Sequence, residues 1–507
     1  MGFVAWIYHH RWLLAGAGLA VCVARTARAY YRLRRFKGPF STGFSQIWHV
    51  RALLSWKPHA KYREVCDRYG SIARIGPNDL VTSSPELIFH MNSARSAYTR
   101  GDYYYLATRF EAGKDHVFSE LDEDKHKRRR QQLAAGYSGK DNPGLEAAID
   151  THVAELIQLI RSKYLSTDAR SQPFDFARKI QYFTLDVISN VSFSVPFGDL
   201  RADADVDAFV ESGELGMIVN ALSIAFGLTK FMHTPFIFRL LGPSERDPVG
   251  MGKLVANARA IVRQRLARDT TEKTDMIASF ARHGLSEEEL VSETCLQIIA
   301  GSDTTASSLR GIFLYLLTHP RVYRKLQAEV DEAARQADDG RAGIAPDALC
   351  KQLPYLQAVI KEANRMHPPV TSQLPKRVPD GGDTVTVDGE PVFLPGGTHV
   401  SFAMVALNRR PDVFGDDADE FRPERWLIDD AARLGYMTKA HEVIFGHGKN
   451  GCLGKSIALM EIGKVVFELV RNFDWALASP EEPWTEHNYA GLYVHSGMWV
   501  TATERLL

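Results

Sequence analysis

Cys452 lies in the stretch "VIFGHGKNGCLGKSIALMEI", Val443 to Ile462, among four glycines and just ahead of an apolar-periodic segment. Leu459, Ile462, Val466 and Leu469 recur at steps of three and four, the period of a helix face. The thiol therefore stands where a tight loop meets a helix N-terminus, a place that favours negative charge and draws a thiol toward thiolate. Such a thiolate could ligate a metal or act as a nucleophile, beside backbone that glycine leaves open to close approach. The plainer alternative is a buried thiol packing as a small hydrophobe.

Three further groups of residues could do chemistry. In "LSEEELVSETCLQIIAGSDTTASSLRGIFLYLLTHP" an acid and two hydroxyls, Asp303, Thr304 and Thr305, interrupt an apolar pattern just after Ala300 and Gly301. Poor helix formers buried mid-helix cost free energy unless satisfied. They make either a solvated patch with a Ser/Thr bend, or a notch where an acid and an alcohol relay protons to a ligand. Glu362 and Arg365, at i and i+3, share a helix face, and Arg425 in "DEFRPERWL" could join them in a cluster that needs full pairing if buried. His126 and Arg130, one turn apart in "LDEDKHKRRRQQLAAGYS", form either part of a solvated charge run or a grip for an anionic group.

These residues require a mainly helical frame. Ser286 with Glu289 three residues on makes a capping box, and Pro320 closes a helix of about 32 residues, about 48 Å long. The Glu362 helix ends before Pro368. Short strands are predicted near Ser71–Ile75 and between Thr384 and Met404, where β-branched residues are bounded by Gly and Pro.

The 507 residues carry 61 Lys+Arg against 61 Asp+Glu, so no basic excess points to nucleic acid. Length alone suggests about three domains. The five cysteines are at least 44 residues apart, which excludes C-x-x-C metal pairs and argues for a reducing compartment. No Gly-rich dinucleotide fingerprint is present. The first acid of the chain is Glu64. Before it, an apolar run of 13 residues from Trp12 to Ala24 precedes a basic cluster, Arg25 to Lys37, and a Gly38-Pro39 break. Residues 1–37 read as a membrane anchor with a basic flank that keeps the remainder cytosolic. A cleaved presequence and an interfacial helix are the rivals.

Together these stretches resemble the cytochromes P450, the haem-thiolate monooxygenases. The family's haem loop F-x-x-G-x-R-x-C-x-G is matched by Phe445, Gly448, Cys452 and Gly454. Its A-G-x-D/E-T-T is matched by Ala300, Gly301, Asp303, Thr304 and Thr305, its E-x-x-R by Glu362 and Arg365, and its P-E-R-W by Pro423 to Trp426. The resemblance covers the chain from about residue 38 and implies one catalytic domain, 38–507, of mainly α structure with small β-sheets. The cysteine segment looks most like fungal members of the pisatin-demethylase type.

The resemblance implies haem b with Cys452 as its iron ligand. It implies Asp303 and Thr304 as the proton-delivering pair, and cofactor contacts from Ala300, Gly301, Phe445, Gly446 and Gly454. His126, Arg130 and Arg377 would hold the haem propionates. His126 replaces the usual tryptophan, and Asn450 stands where the family loop has arginine, leaving Lys449 to take that role. The implied reaction inserts one oxygen atom from O₂ into a small hydrophobic molecule, in fungal secondary metabolism. Electrons would come from NADPH through a separate NADPH–cytochrome P450 reductase, with cytochrome b5 as an auxiliary donor, at the endoplasmic reticulum membrane. The alternatives are a haem-thiolate isomerase, dehydratase or peroxygenase, and a non-catalytic haem sensor or carrier; the intact Asp303–Thr304 pair argues against both. Substrate walls are expected from Tyr103–Phe118, Val370–Leu374 and Leu215–Met232.

Overall fold

The computed structural model describes residues 2–267, 274–337 and 343–505. The capping box forms as expected: Ser286 N–H donates to Glu289 Oε2 at 2.8 Å, and the hydroxyl accepts from Glu289 N–H. From that start a helix runs without a break over Glu287–Thr318, 32 residues. At the polar notch Ser302 and Thr304 satisfy their hydroxyls on the carbonyls of Ile298 and Ala300, at 2.7 and 2.8 Å, so the helix continues through it.

Against this helix packs Phe176–Phe193, whose side chains are almost all buried. Gly301 sets the close approach. A Cβ built there would stand 2.6 Å from Ile188 Cδ1. The space a side chain at Gly301 would need is thus filled by Ile188 of the neighbouring helix. The same apolar core gathers Val465, Val466 and Leu469 of the cysteine helix, Lys455–Asn472.

Beside the helices lies a five-stranded sheet in the order Ile72–Gly76, Asp79–Thr82, His399–Ala403, Ser372–Arg377, Thr99–Arg100. The strands predicted around residues 71–75 and 384–404 are present. The hairpin Thr485–Tyr489 with Leu492–Ser496, and the pair Phe473–Leu477 with Trp499–Glu504, went unforeseen. The hairpin's sequence, "TEHNY" against "LYVHS", carries no clean apolar alternation.

The first helix, Gly2–Arg32, spans 31 residues, and Trp12, Leu13, Leu19, Val21 and Val23 on it are largely exposed. Among the described residues no helix is long and apolar enough to cross a membrane. Its C-terminal end is fixed to the sheet. The buried Arg74 guanidinium donates to the carbonyls of Ala29 and Tyr30 at 3.0 and 3.4 Å, which would otherwise be orphan groups of a helix end.

Candidate haem site

The cysteine loop is closed by its own backbone. Cys452 N–H donates to Phe445 O at 2.6 Å, Gly446 N–H to Val443 O at 2.8 Å, and Gly451 N–H to Gly448 O at 3.1 Å. Gly446 (φ 74°) and Gly448 (φ 54°) occupy the left-handed region. A Cβ at Gly446 would meet Asn450 O at 2.6 Å, and one at Gly448 would meet Asn92 O at 2.1 Å. Gly446 therefore serves the loop's own closure, and Gly448 its close approach to the end of the helix Pro85–Asn92. Gly454 differs, since a Cβ there would find only Tyr137 and the Cys452 sulfur, at 3.9 and 4.0 Å.

Cys452 is exposed at its surface, unlike Cys66, Cys295 and Cys350. Its thiol pKa runs opposite to the sequence expectation. Although its surface is open, the protein atoms crowded around the sulfur desolvate the thiolate and push it up, and the amides of Gly454 and Lys455 with the Arg130 charge only partly offset this. The helix start acts as foreseen, but desolvation of the thiolate outweighs it. Tyr137 lies beside the thiol, 3.9 Å from where a side chain at Gly454 would begin. On the long helix, Ala300 and Thr304 follow Gln297 at i+3 and i+7 on one face, and both keep accessible surface although the flanking turns are buried.

Asp303 leans the other way. Gln181 Nε2 donates to Asp303 Oδ1 at 2.8 Å, and Gln181 Oε1 accepts from Arg310 at 2.6 Å. Arg310 in turn donates to Ala177 O at 2.7 Å. Burial lifts the Asp303 carboxyl to about 6, with Arg310 and Gln181 opposing. A narrow polar crevice of about 10 Å³, lined by Asp303, Gln181, Arg310, Glu214 and His495, adjoins it. An acid with a pKa near 6 both takes up and releases protons at neutral pH.

A dense set of cations lies near the loop. Burial, then the charges of Arg100, Arg130, Lys376 and Lys449, push His126 down to about 3. Arg100 is buried, contacts His126 Nε2, and donates to Asn450 Oδ1 at 2.8 Å. Asn450 thus holds a guanidinium delivered from another strand, where the family loop carries its own. Lys449 is already engaged, with Ser96 O, Tyr98 O and Glu123 at 3.0, 3.1 and 3.0 Å. Lys376 is 1% exposed, and its Nζ has no hydrogen-bond partner. Burial first, then Arg100, lowers it to about 7. Strand register explains the pairing: Arg100 stands opposite Lys376, and Thr99 opposite Arg377. The pleat that turns Lys376 inward turns Arg377 outward, to Asp380. Arg377 is thereby corrected as a propionate contact, and Arg100 and Lys376 are what sequence reasoning missed. An orphaned buried ammonium among cations, next to an exposed thiol at a helix start, fits a ligand bearing carboxylates and an iron.

Behind the loop the Glu–Arg–Arg cluster is fully paired. Glu362, Arg365 and Arg425 are 0%, 0% and 2% exposed. Glu362 accepts from Arg365 at 2.8 and 2.9 Å, from Arg425 at 2.8 Å, from Trp426 Nε1 at 2.9 Å and from Arg422 N–H at 2.8 Å.

The family model for cytochrome P450 matches residues 39–497. The chain belongs to the cytochrome P450 family. Among its relatives, cytochrome P450 monooxygenase ABA1 of Pyricularia oryzae is 40% identical over 487 residues, 94% of each chain. Cytochrome P450 monooxygenase aba1 of Botryotinia fuckeliana is 38% identical, over 93% of this chain and 92% of that protein. Cytochrome P450 monooxygenase mpaDE of Penicillium roqueforti is 31% identical over 94% of this chain and 56% of the other. P450 membership brings a haem-iron cofactor, and the chain is a haem-thiolate monooxygenase that needs a redox partner and a small substrate.

Proposed function

We propose that this P450 oxygenates a small apolar molecule with electrons passed from NADPH by a separate reductase, cytochrome b5 serving as auxiliary donor, and that it works in fungal secondary metabolism. The observation that carries the substrate class is an apolar cluster built from the three expected walls. Tyr104, Tyr105 and Phe118 meet Ala221, Ile224 and Ala225, with Leu374 joining from the third segment and Ala490 from the hairpin. Such a lining favours an apolar ligand.

Bound haem supplies the iron that activates dioxygen, and Cys452 is the residue that would hold it as a thiolate. Arg100, Lys376, His126 and Arg130 would clamp its carboxylates. Thr304 Oγ, tied to Ala300 O, presents its lone pairs to the open face of the helix. Asp303 Oδ1, held by Gln181, takes a proton from the crevice side and passes it toward that face. With added reductase, NADPH and O₂ should be consumed together. Thr304→Ala should keep haem while sending most of those electrons into hydrogen peroxide, read as the ratio of peroxide to NADPH. Unchanged coupling would remove Thr304 from the relay.

The Lys376 ammonium offers a sharper check on haem retention. A charge-assisted hydrogen bond contributes about 1.5–3 kcal/mol, so Lys376→Met should speed haem transfer to apomyoglobin at least about tenfold. Arg377→Met, on the outer face, should leave the rate alone. Equal rates in both variants would refute the clamp.

We further propose attachment to the endoplasmic reticulum membrane through the N-terminal helix, with the catalytic body cytosolic. Its exposed apolar face supports this, as do the exposed Phe231, Phe236, Leu240 and Leu241. The single N-x-[ST] sequon is a poor reporter of topology, because the Asn190 amide is bonded to His152 Nε2 at 3.0 Å within a helix. Added protease should instead digest the body outside intact microsomes, and deleting residues 1–36 should release much of it. Protection inside the vesicles would reverse the orientation.

A further inference from the structure

Where the crevice beside Asp303 reaches His495, three histidines and one acid converge at the root of the unforeseen hairpin. Antiparallel register sets Glu486 directly opposite His495. His367, the residue after the helix Pro354–Met366, reaches the same point. Its Nε2 stands 3.0 Å from His495 Nε2, and His495 Nε2 stands 3.6 Å from Glu486 Oε2. The ligand atoms of these three residues all lie within 4.8 Å of one another. His59 flanks them, with Nε2 3.6 Å from Glu486 Oε1.

Two observations argue against a merely structural hydrogen bond. One shared proton between the two Nε2 atoms leaves the Glu486 carboxylate 3.6 Å away, beyond hydrogen-bond reach. Buried His495 also keeps an Nδ1 with no partner, so the pair does not satisfy itself. The ring of Tyr493 stacks on His367 at 4.0 Å, and Trp484 lies 4.3 Å from His495. These walls fix the imidazoles and restrict water.

We propose that His367, His495 and Glu486 bind a zinc-class divalent cation, with His59 beside the open coordination position. Two imidazoles and one carboxylate are a donor set that zinc takes up, at metal–nitrogen distances of about 2.0–2.1 Å. Two such nitrogens around one tetrahedral ion lie about 3.3 Å apart, so the pair needs to open only slightly from its 3.0 Å. The cation would tie the hairpin root to the helix end. Beyond that end, Thr371 N–H donates to Gly491 O at 2.8 Å, and the hairpin tip at Tyr489 and Ala490 enters the apolar cluster. Metal occupancy would therefore set how firmly one substrate wall is held. This last consequence rests on the substrate reading above, while the metal site itself does not.

The test uses untagged, haem-loaded, full-length protein dialysed against micromolar zinc and then analysed for metal. About one zinc per chain should remain. His495→Asn and Glu486→Gln should each weaken retention at least about tenfold while keeping the reduced-CO spectrum. His487→Asn, on the opposite face of the same strand, should change nothing. Should His495→Asn lose its haem spectrum, the half-buried Glu486→Gln decides. Amide exchange over residues 485–496 should slow with zinc in the unmodified chain only. No retained zinc, or retention undiminished in Glu486→Gln, overturns the site. Retained zinc with unaltered exchange overturns the wall-setting role and leaves the site standing.

Discussion

Cys452→Ala should abolish the red-shifted Soret band that reduced, CO-treated thiolate haem displays, and with it turnover, while Cys295→Ala and Cys350→Ala should leave both intact. The other three body cysteines are buried, and burial raises their thiols: Cys66 to about 12, Cys350 to about 12, and Cys295 further still. None has amides of a helix start directed at it as Cys452 has from Gly454 and Lys455. Desolvation still holds the Cys452 thiol above its ordinary value, so the thiolate is completed by the iron's own charge, since a coordinated thiol is deprotonated. Cys452→Ser should retain some haem but shift the band away from the thiolate position. A normal spectrum in Cys452→Ala would end the assignment.

The second large effect belongs to Glu362, which never touches the cofactor site. Glu362→Gln keeps the volume and removes the charge that two buried guanidiniums share. Leaving a buried charge without its partner costs about 3–5 kcal/mol, a large part of the roughly 5–15 kcal/mol by which folded domains exceed their unfolded chains. Arg425 keeps a charged partner in Asp417 Oδ1 at 2.9 Å, whereas Arg365 is left with uncharged acceptors, including Asn408 O and Ala418 O at 2.6 Å, so the penalty falls chiefly on Arg365. The urea midpoint should fall steeply and haem-loaded yield with it. A pH titration gives the same answer with a checkable sign. Burial works to raise the Glu362 carboxyl, yet its arginine partners hold it below the ordinary value. Its stabilising share is therefore present above the unfolded carboxylate range and is lost as pH falls through the depressed folded value. Glu362→Gln should lack that acid-side loss. A variant with unchanged midpoint would show the cluster to be dispensable.

What could be read from sequence depended on how locally each feature is encoded. The cysteine loop, the capping box and the Glu362–Arg365 pair each lie within a few residues, so spacing alone exposes them. Arg425 was reachable because its own motif flags it. Arg100 and Lys376 were not, for they sit 276 residues apart and meet only through a two-residue strand pairing. The error at Arg377 is a single step of the pleat, which reverses inside and outside. The packing demand on Gly301 was not legible either, since it comes from Ile188, 113 residues away. The thiol's direction failed for a different reason. Sequence shows the helix start, whereas the desolvation that opposes it is a property of the whole fold.

The buried cations beside the loop have a consequence for how this enzyme matures. Arg100, Arg130, Lys376 and Lys449 act on one imidazole, and Glu123 is the acid placed among them, 3.0 Å from Lys449 and 3.6 Å from Arg100. A newly made chain that has not met haem must hold these like charges together in a poorly solvated space, which works against closing the loop onto the sheet. The two carboxylates of haem, held by these residues, would relieve that repulsion. Cofactor supply then becomes a checkpoint on assembly: chains made during haem scarcity keep this corner loose and reach the proteases, while loaded chains close and survive.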